Sequence, residues 1–115
     1  MFKCDLHTHS ICSDGRFKPA EIVKMAKERN LKYISLTDHD SLSGINDAIL
    51  EAEKLGINFI PGIELSTEYN GESIHILGFF KKEDYNNPKL NQILDEFKEK
   101  RISRAYKIVD NLKKY

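Results

Sequence analysis

The chain carries four histidines, and most of them follow or end a short apolar segment of the kind that forms a buried strand. Two carboxylates occupy comparable positions. The six candidate metal ligands are His7, His9, Asp14, His39, Glu64 and His75. Imidazoles and carboxylates that return to the ends of successive strands are how an α/β scaffold assembles a site for several metal ions.

The chemistry that this set predicts is hydrolysis by metal-activated water. A hydrolytic ion needs neutral imidazole and anionic oxygen ligands, with one position left open for solvent. Six ligands are too many for one tetrahedral ion of this kind, and they suit two or three divalent ions bridged by a carboxylate such as Glu64. Because the set mixes nitrogen and oxygen without obvious thiolates, it fits Mn²⁺, Zn²⁺ or Fe and does not distinguish among them.

The first two ligands follow a predicted strand from Phe2 to Leu6. If the extended backbone continues, His7 and His9 face the same side, so both can reach one ion. Pro19 suits the first turn of a helix, and Asn30 suits its left-handed end. The predicted apolar face of this helix consists of Ile22, Val23 and Ala26.

A second predicted strand, Tyr33 to Leu36, precedes a helix that Ser41 or Ser43 can cap. The predicted apolar face of this helix consists of Ile45, Ala48, Ile49 and Ala52. A third strand is predicted from Ile57 to Ile63, with an interruption at Pro61-Gly62. The resulting alternation of strands and helices predicts parallel strands.

Asn70-Gly71 is the strongest two-residue hairpin signal, and it predicts that the segments on either side pair antiparallel. The resulting register places Ser66 opposite His75. Glu64 then lies diagonal to His75 on the same face, with about 7 to 8 Å between backbones, so both side chains can share an ion. Beyond the hairpin, apolar residues at helical spacing from Pro88 to Tyr115 predict one long or bent helix.

Length, charge and cysteine usage limit the class of protein. With 115 residues and 40% hydrophobic content, the chain suffices for one modest domain. Its 18 basic and 18 acidic residues cancel, which removes the electrostatic footprint of a nonspecific duplex nucleic-acid binder. Cys4 and Cys12 form no C-x-x-C pair and predict free thiols. Since there is no signal-peptide pattern and no long apolar run, we expect a soluble cytoplasmic protein without a membrane partner.

Five motifs carry a family resemblance. In order they are His7-Thr8-His9-Ser10, Ser13-Asp14-Gly15, Thr37-Asp38-His39-Asp40, Gly62-Ile63-Glu64-Leu65-Ser66 and His75-Ile76-Leu77-Gly78. At these intervals the chain resembles the PHP (polymerase and histidinol phosphatase) domain. Within that family it is most similar to stand-alone metal-dependent phosphoesterases that act on nucleoside 3′,5′-bisphosphates and short oligonucleotides. The resemblance covers residues 3 to 80 clearly and the last helix loosely.

The resemblance implies which ligands share an ion. It implies three ions, held by His7 with His9, by Asp14 with His39, and by Glu64 with His75, where Glu64 also bridges to the first ion. It also implies a distorted seven-stranded β/α barrel, to which later strands add a further histidine and an Asp-x-His motif. A closed β/α barrel needs about 200 residues or more, and no histidine follows His75.

We therefore expect an α/β fold that is the N-terminal part of a distorted (β/α)7 barrel. Its strands are mostly parallel, with one hairpin and a long C-terminal helix. Residues 1–80 would form the metal-binding half-barrel, and residues 81–115 a helical segment of the same domain. We expect the site in this segment to be incomplete, so that the segment alone holds metal weakly and has weak or no activity. A reading frame that continues past Tyr115 with the missing ligands would favour the enzyme, and a natural end at Tyr115 would favour a non-catalytic fragment.

Four further residues are candidates for supporting roles. Asp38 and Asp40 flank His39 and can hold its imidazole in one tautomer, although Asp40 can equally cap the following helix. Arg101 and Arg104 can clamp a substrate phosphate, and the alternative for both is a solvated helical face.

The resemblance implies hydrolysis of phosphate esters of nucleotides or short oligonucleotides. Three alternatives stay open: a histidinol-phosphatase-like enzyme, a polymerase-associated exonuclease module, and a non-catalytic metal-binding or interaction fragment. The exposed edge of an open half-barrel would also invite self-association.

Overall fold

The computed structural model describes residues 3–81 and 83–114. The strands and helices in this part of the chain are β1 (Cys4–Asp5), α1 (Pro19–Glu28), β2 (Tyr33–Leu36), α2 (Ile45–Leu55), β3 (Asn58–Tyr69), β4 (Glu72–Phe79) and α3 (Pro88–Lys113). A short 3-10 turn at Asp84–Asn86 precedes α3. The first strand is shorter than predicted, and the predicted strand residue Phe2 lies outside the described residues. The chain divides into one unit that ends at Tyr85 and a second that begins at Asn86.

The strands form one sheet in the order β1-β2-β3-β4. β1 pairs parallel with β2, and β2 pairs parallel with β3, so the predicted strand-helix alternation is confirmed. β3 pairs antiparallel with β4, and Ser66 lies opposite His75 as predicted. Asn70 and Gly71 have φ angles of +51° and +79°, which is the left-handed geometry that a two-residue hairpin turn requires.

β3 is one continuous strand of 12 residues, so the predicted interruption at Pro61-Gly62 is wrong. The strand changes partner there instead, because it pairs with β2 through Pro61 and with β4 from Gly62 onward. Pro61 has no N–H to donate, but its carbonyl oxygen accepts a hydrogen bond from Phe80 N at 2.9 Å. Gly62 permits close packing, since a Cβ there would lie 2.6 Å from Ser35 Oγ.

The two short helices and the sheet enclose the core. α1 begins at Pro19 and is followed by Asn30 with φ of +59°, so both predicted helix ends are confirmed. The buried core consists of Ile22, Val23, Ala26, Ile34, Leu36, Ile45, Ala48, Ala52, Ile57 and Tyr85. The predicted apolar faces are therefore confirmed, except that Ile49 is only partly buried.

The start of α2 differs from the prediction. Its N-cap is Gly44, and none of the described side chains makes a cap hydrogen bond there, so the predicted capping by Ser41, Ser43 or Asp40 is wrong. A Cβ at Gly44 would lie 2.7 Å from Pro19 Cγ. Close packing of the two helix starts therefore selects glycine at the position where a capping side chain was expected.

α3 is a single helix of 26 residues, as predicted. The Asn87 side chain caps it by accepting hydrogen bonds from Lys89 N and Leu90 N at 2.9 and 3.4 Å. Among the described residues, we find no helix with the length and apolar character needed to span a membrane.

Candidate metal centre

Backbone and threonine hydrogen bonds keep the chain beyond β1 alongside β2. Thr37 donates to the Thr8 carbonyl oxygen through its N–H at 2.8 Å and through its hydroxyl at 3.2 Å. Thr8 Oγ1 donates to Ser35 O at 2.7 Å. The histidines on either side of Thr8, His7 and His9, are thereby held beside the end of β2.

Beyond the end of β2, the chain pairs with β3 again at His39, which forms a parallel bridge with Glu64. Glu64 N donates to Asp38 O at 3.1 Å, and Asp40 N donates to Glu64 O at 3.0 Å. Asp40, with φ of +49°, also accepts a hydrogen bond from Ser66 N at 2.9 Å through Oδ1. Backbone pairing on both sides of His39 therefore fixes its position next to Glu64.

The Glu64 carboxylate lies within 4 Å of a ring nitrogen of every histidine in the chain. Its Oε1 lies 2.6 Å from His7 Nε2. Its Oε2 lies 2.9 Å from His39 Nδ1, 3.3 Å from His75 Nδ1 and 3.8 Å from His9 Nε2. The predicted approach of Glu64 to His75, and of His7 and His9 to one point, is therefore confirmed as geometry.

A loop brings Asp14 to the other side of the two central imidazoles. Asp14 Oδ1 lies 3.3 Å from His9 Nδ1, and Oδ2 lies 3.2 Å from His39 Nε2. The loop folds back tightly, with Gly15 N donating to Ser10 O at 2.8 Å. A Cβ at Gly15 would lie 2.1 Å from His9 O, so the residue after Asp14 must be glycine for this approach.

The four imidazoles form a row from His7 through His9 and His39 to His75, with ring centroids 5.1, 4.5 and 5.2 Å apart. In the part of the chain that the structure describes, three overlapping ligand groups result, and within each the ligand atoms lie within 4.8 Å of one another. The groups are His7/His9/Glu64, His9/Asp14/His39 and His39/Glu64/His75. Sequence reasoning missed that His9 and His39 each belong to two groups, because strand parity does not reveal which neighbours a ring meets across the sheet.

The surroundings of one buried nitrogen, His39 Nδ1, indicate whether these residues suit a metal ion. His39 Nδ1 makes no hydrogen bond within residues 3–81 and 83–114, although Glu64 Oε2 is 2.9 Å away. Buried polar atoms without hydrogen bonds are rare in folded proteins. An imidazole nitrogen beside a carboxylate oxygen is instead the arrangement of two ligands that bind the same cation. The donor set of nitrogens and oxygens therefore fits divalent metal ions.

Both carboxylates of the site have a lowered pKa. Burial raises the pKa of Glu64, but the hydrogen bond with His75 and the nearby charge of His39 contribute to a larger opposing effect that places it below its usual value. Desolvation likewise raises the pKa of Asp14, and the charges of His39 and His9 contribute to an effect that outweighs it. Both groups are therefore anionic near neutral pH, as a cation site requires.

The Asp38 carboxylate is directed to the loop rather than to the imidazole that it was predicted to hold. Asp38 is 1% exposed and accepts hydrogen bonds from Ser10 N, Ser10 Oγ and Ser13 Oγ, each at 2.6 Å. In an extended segment, neighbouring side chains point to opposite faces, which separates the Asp38 carboxylate from the His39 ring.

Arg101 and Arg104, the predicted phosphate ligands, lie at exposed positions of α3 in the second unit. Their contact with a substrate stays a prediction.

A mostly parallel sheet that brings four imidazoles and two carboxylates together is typical of α/β proteins that can hold metal ions. More particularly, residues 5–108 match the PHP domain, and the chain belongs to this family.

Comparisons with known proteins agree with this assignment. A 5′-3′ exoribonuclease of Haemophilus influenzae is 40% identical over 112 residues, which are 97% of this chain and 40% of that protein. A 3′,5′-nucleoside bisphosphate phosphatase of Chromobacterium violaceum is 36% identical over 105 residues, which are 91% of this chain and 36% of that protein. The chain therefore spans about two fifths of the length of these curated relatives.

A solved structure confirms the predicted fold class. A candidate metal-dependent phosphoesterase from Bifidobacterium adolescentis matches 98% of this chain with a TM-score of 0.85 at 25% sequence identity, and the match covers 39% of that protein. The fold class of this chain is thus that of the matching part of this solved structure.

Proposed function

We propose that the full-length protein containing this chain is a metal-dependent phosphoesterase that hydrolyses phosphate esters of nucleotides or short oligonucleotides. The observation that carries this proposal is the convergence of four imidazoles and two carboxylates in three overlapping groups. The exoribonuclease and nucleoside bisphosphate phosphatase activities of the two relatives support the substrate class.

The proposed cofactors are two or three divalent ions, of Mn, Zn or Fe. When bound, such ions would activate water and neutralise charge on the phosphate oxygens. Glu64 is the proposed bridging ligand because it belongs to two of the three groups, whereas Asp14 belongs to one. Supporting this role, Glu64 is 5% exposed and lies between β2 and β4, where its position is fixed by pairing on both sides.

The site has a buried floor and an open rim. The floor consists of His9, His39 and Glu64, whose side chains are mostly buried. The rim consists of His7, Asp14 and His75, whose side chains are 51%, 65% and 45% exposed. A phosphate group can therefore approach from solvent across the rim while the floor keeps the ligand positions fixed.

Two further parts of the proposal are supported by general chemistry. Arg101 and Arg104 would contact the substrate phosphate, since a guanidinium matches the geometry of phosphate oxygens. A cytoplasmic location is proposed because Cys4 and Cys12 are free thiols, which persist in a reducing compartment.

We also propose that the chain associates with a second copy through β4. This strand is an edge of the described sheet, and its apolar residues Ile76 and Phe79 are 51% and 46% exposed. Ile76 and His75 are adjacent and face opposite sides of the strand, so Ile76→Lys should weaken association without altering the metal ligands. Sedimentation velocity should show a dimer that Ile76→Lys converts to monomer, and a wild-type monomer at all concentrations would contradict the idea.

The enzymatic proposal is tested by phosphate release from a nucleoside 3′,5′-bisphosphate, using the full-length protein loaded with Mn²⁺, Zn²⁺ or Fe²⁺. Glu64→Gln should lower the rate at least about 10- to 100-fold, because losing a ligand costs no less than losing its hydrogen-bonded support. Glu68→Gln is the matched control, since Glu68 is exposed and lies on the same strand and face. Full activity of Glu64→Gln, or no hydrolysis by the wild type with any of the three metals, would overturn the proposal.

A further inference from the structure

We propose that Asp38 is a positioning residue for the metal centre, because its carboxylate fixes the loop that carries Asp14. This inference rests on the proposed metal site and deepens it. The carboxylate would hold the His9/Asp14/His39 group together without binding an ion itself.

The hydrogen bonds of Asp38 hold the loop at Ser10 and at Ser13. Its Oδ1 accepts from Ser10 N and from Ser13 Oγ, and its Oδ2 accepts from Ser10 Oγ, all at 2.6 Å. Hydrogen bonds to an ionised carboxylate are shorter and about twice as strong as neutral ones. Because Asp38 is buried, losing these partners would leave a carboxylate that water cannot solvate.

The two serines connect Asp38 to the ligands. Ser10 follows His9 directly, and Ser13 precedes Asp14. The Ser13 hydroxyl also lies 3.4 Å from Asp14 Oδ1 and 3.5 Å from His9 Nδ1. Asp38 therefore anchors both ends of the segment that brings Asp14 to the imidazoles.

The same residue is also fixed to the sheet. The Asp38 carbonyl oxygen accepts a hydrogen bond from Glu64 N, and the next residue is His39. Asp38 thus joins the loop ligand, Asp14, to the strand ligand, His39. Since the Asp14 side chain is 65% exposed, this anchoring adds to the loop's own backbone hydrogen bonds in limiting its freedom before an ion binds.

Loss of the Asp38 carboxylate should affect the ligand group that contains Asp14 and spare the group that contains His75. The group His39/Glu64/His75 contains no loop residue, so its geometry does not depend on Ser10 or Ser13. Loss of the Asp38 carboxylate should therefore weaken the ion held by Asp14 and leave the ion at His75 in place.

The test is calorimetric titration of the full-length, metal-free protein with Zn²⁺. Asp38→Asn and Ser13→Ala should each weaken one binding step about 10- to 100-fold, the usual effect of removing support from a ligand. Ser13→Thr, which keeps the hydroxyl, should restore binding. Ser43→Ala is the matched control, because the Ser43 hydroxyl lies 2.9 Å from that of Ser41 and belongs to none of the three ligand groups, so every step should be unchanged.

Repeating the measurement in an Asp14→Ala variant distinguishes a positioning role of Asp38 from a general loss of protein stability. With Asp14→Ala already present, Asp38→Asn should cause no further loss of Zn²⁺ affinity, because both changes remove the same ligand. If Asp38→Asn lowers Zn²⁺ affinity equally in the wild-type protein and in the Asp14→Ala variant, the inference is overturned. Unchanged Zn²⁺ binding by both Asp38→Asn and Ser13→Ala would also overturn it. In either case the metal centre itself would stand. If Asp38→Asn fails to fold, the comparison of Ser13→Ala with Ser13→Thr decides. A wild-type protein that binds no Zn²⁺ would overturn both the centre and the inference.

Discussion

The ligands of the candidate centre differ in how many groups each one serves. His39 is mostly buried and lies near both carboxylates, at 2.9 Å from Glu64 and 3.2 Å from Asp14. His75 is 45% exposed and belongs to one group. The cost of removing a histidine should therefore depend on its position in the row.

The first prediction compares two histidine substitutions. His39→Ala should abolish binding at two metal positions, whereas His75→Ala should affect one, because His39 supplies a ligand atom to two groups. Metal content after dialysis, measured by elemental analysis of the full-length protein, checks this. Equal metal content in the two variants would contradict the shared role of His39.

A glycine beside the site provides the second prediction. Gly15→Ala should destabilise the fold by about 1–3 kcal/mol, because the new Cβ would overlap backbone atoms that cannot move independently. The clash is with the carbonyl group of His9, at 2.1 Å from the oxygen. Gly78→Ala is the control, since its Cβ would meet Ile63 Cγ2 at an ordinary 3.5 Å. Urea unfolding that shows equal stabilities for the two variants would contradict the account of the loop.

At the scale of elements, β3 decides where the ligands meet. Its first half pairs with β2 and its second half with β4, so Glu64 lies between the strand end that carries His39 and the strand that carries His75. The hairpin register therefore places one ligand relative to another. The turn that sets this register should affect both stability and metal binding.

The third prediction concerns that turn. Gly71→Ala should cost about 1–2 kcal/mol, because alanine is strained in the left-handed region. Gly71 has φ of +79°. Gly71→Asn should cost less, since asparagine tolerates that region. Thermal unfolding of both variants checks the order, and an alanine variant as stable as the asparagine variant would contradict it.

Much of the arrangement of strands and helices could be predicted from the sequence, because the residues that specify it act on their own stretch of backbone. Asn70-Gly71 specifies a hairpin and its register, and alternation along a strand puts His7 and His9 on one side. Pro19 and Asn30 set the ends of α1 by their own backbone preferences.

The parts that sequence reasoning missed depend on contacts between distant segments. Gly44 replaces a capping serine because α2 packs closely on Pro19, and Pro61-Gly62 marks a change of strand partner rather than a break. The direction of the Asp38 carboxylate toward Ser10 and Ser13 likewise follows from the folded loop. The one sequence feature that could have indicated this direction is the pair of serines, Ser10 and Ser13, on either side of the turn before Asp14.

At the scale of the molecule, the chain forms part of a larger family fold. It spans about two fifths of the length of its curated relatives, and its two units meet at Tyr85 and Asn86 in the sequence. The prediction that residues 81–115 belong to the same domain as residues 1–80 stays a prediction.

Metal loading should stabilise the whole molecule, which is the fourth prediction. Each ion that binds only the folded state adds about 2.7 kcal/mol when its free concentration is 100 times its dissociation constant. Scanning calorimetry should therefore show a higher Tm with Mn²⁺ and its reversal by a chelator. Glu64→Gln should remove most of the increase, and an increase of the same size in that variant would indicate binding elsewhere.

The most direct test of the central claim is anomalous diffraction from crystals of the full-length protein grown with Mn²⁺, Zn²⁺ or Fe²⁺. The account predicts anomalous peaks at the three ligand groups: one between His7, His9 and Glu64, one between His39, Glu64 and His75, and one between His9, Asp14 and His39. Peaks that all lie away from these side chains, or no peak at saturating Mn²⁺, Zn²⁺ or Fe²⁺, would contradict the assignment of the six residues as a metal centre.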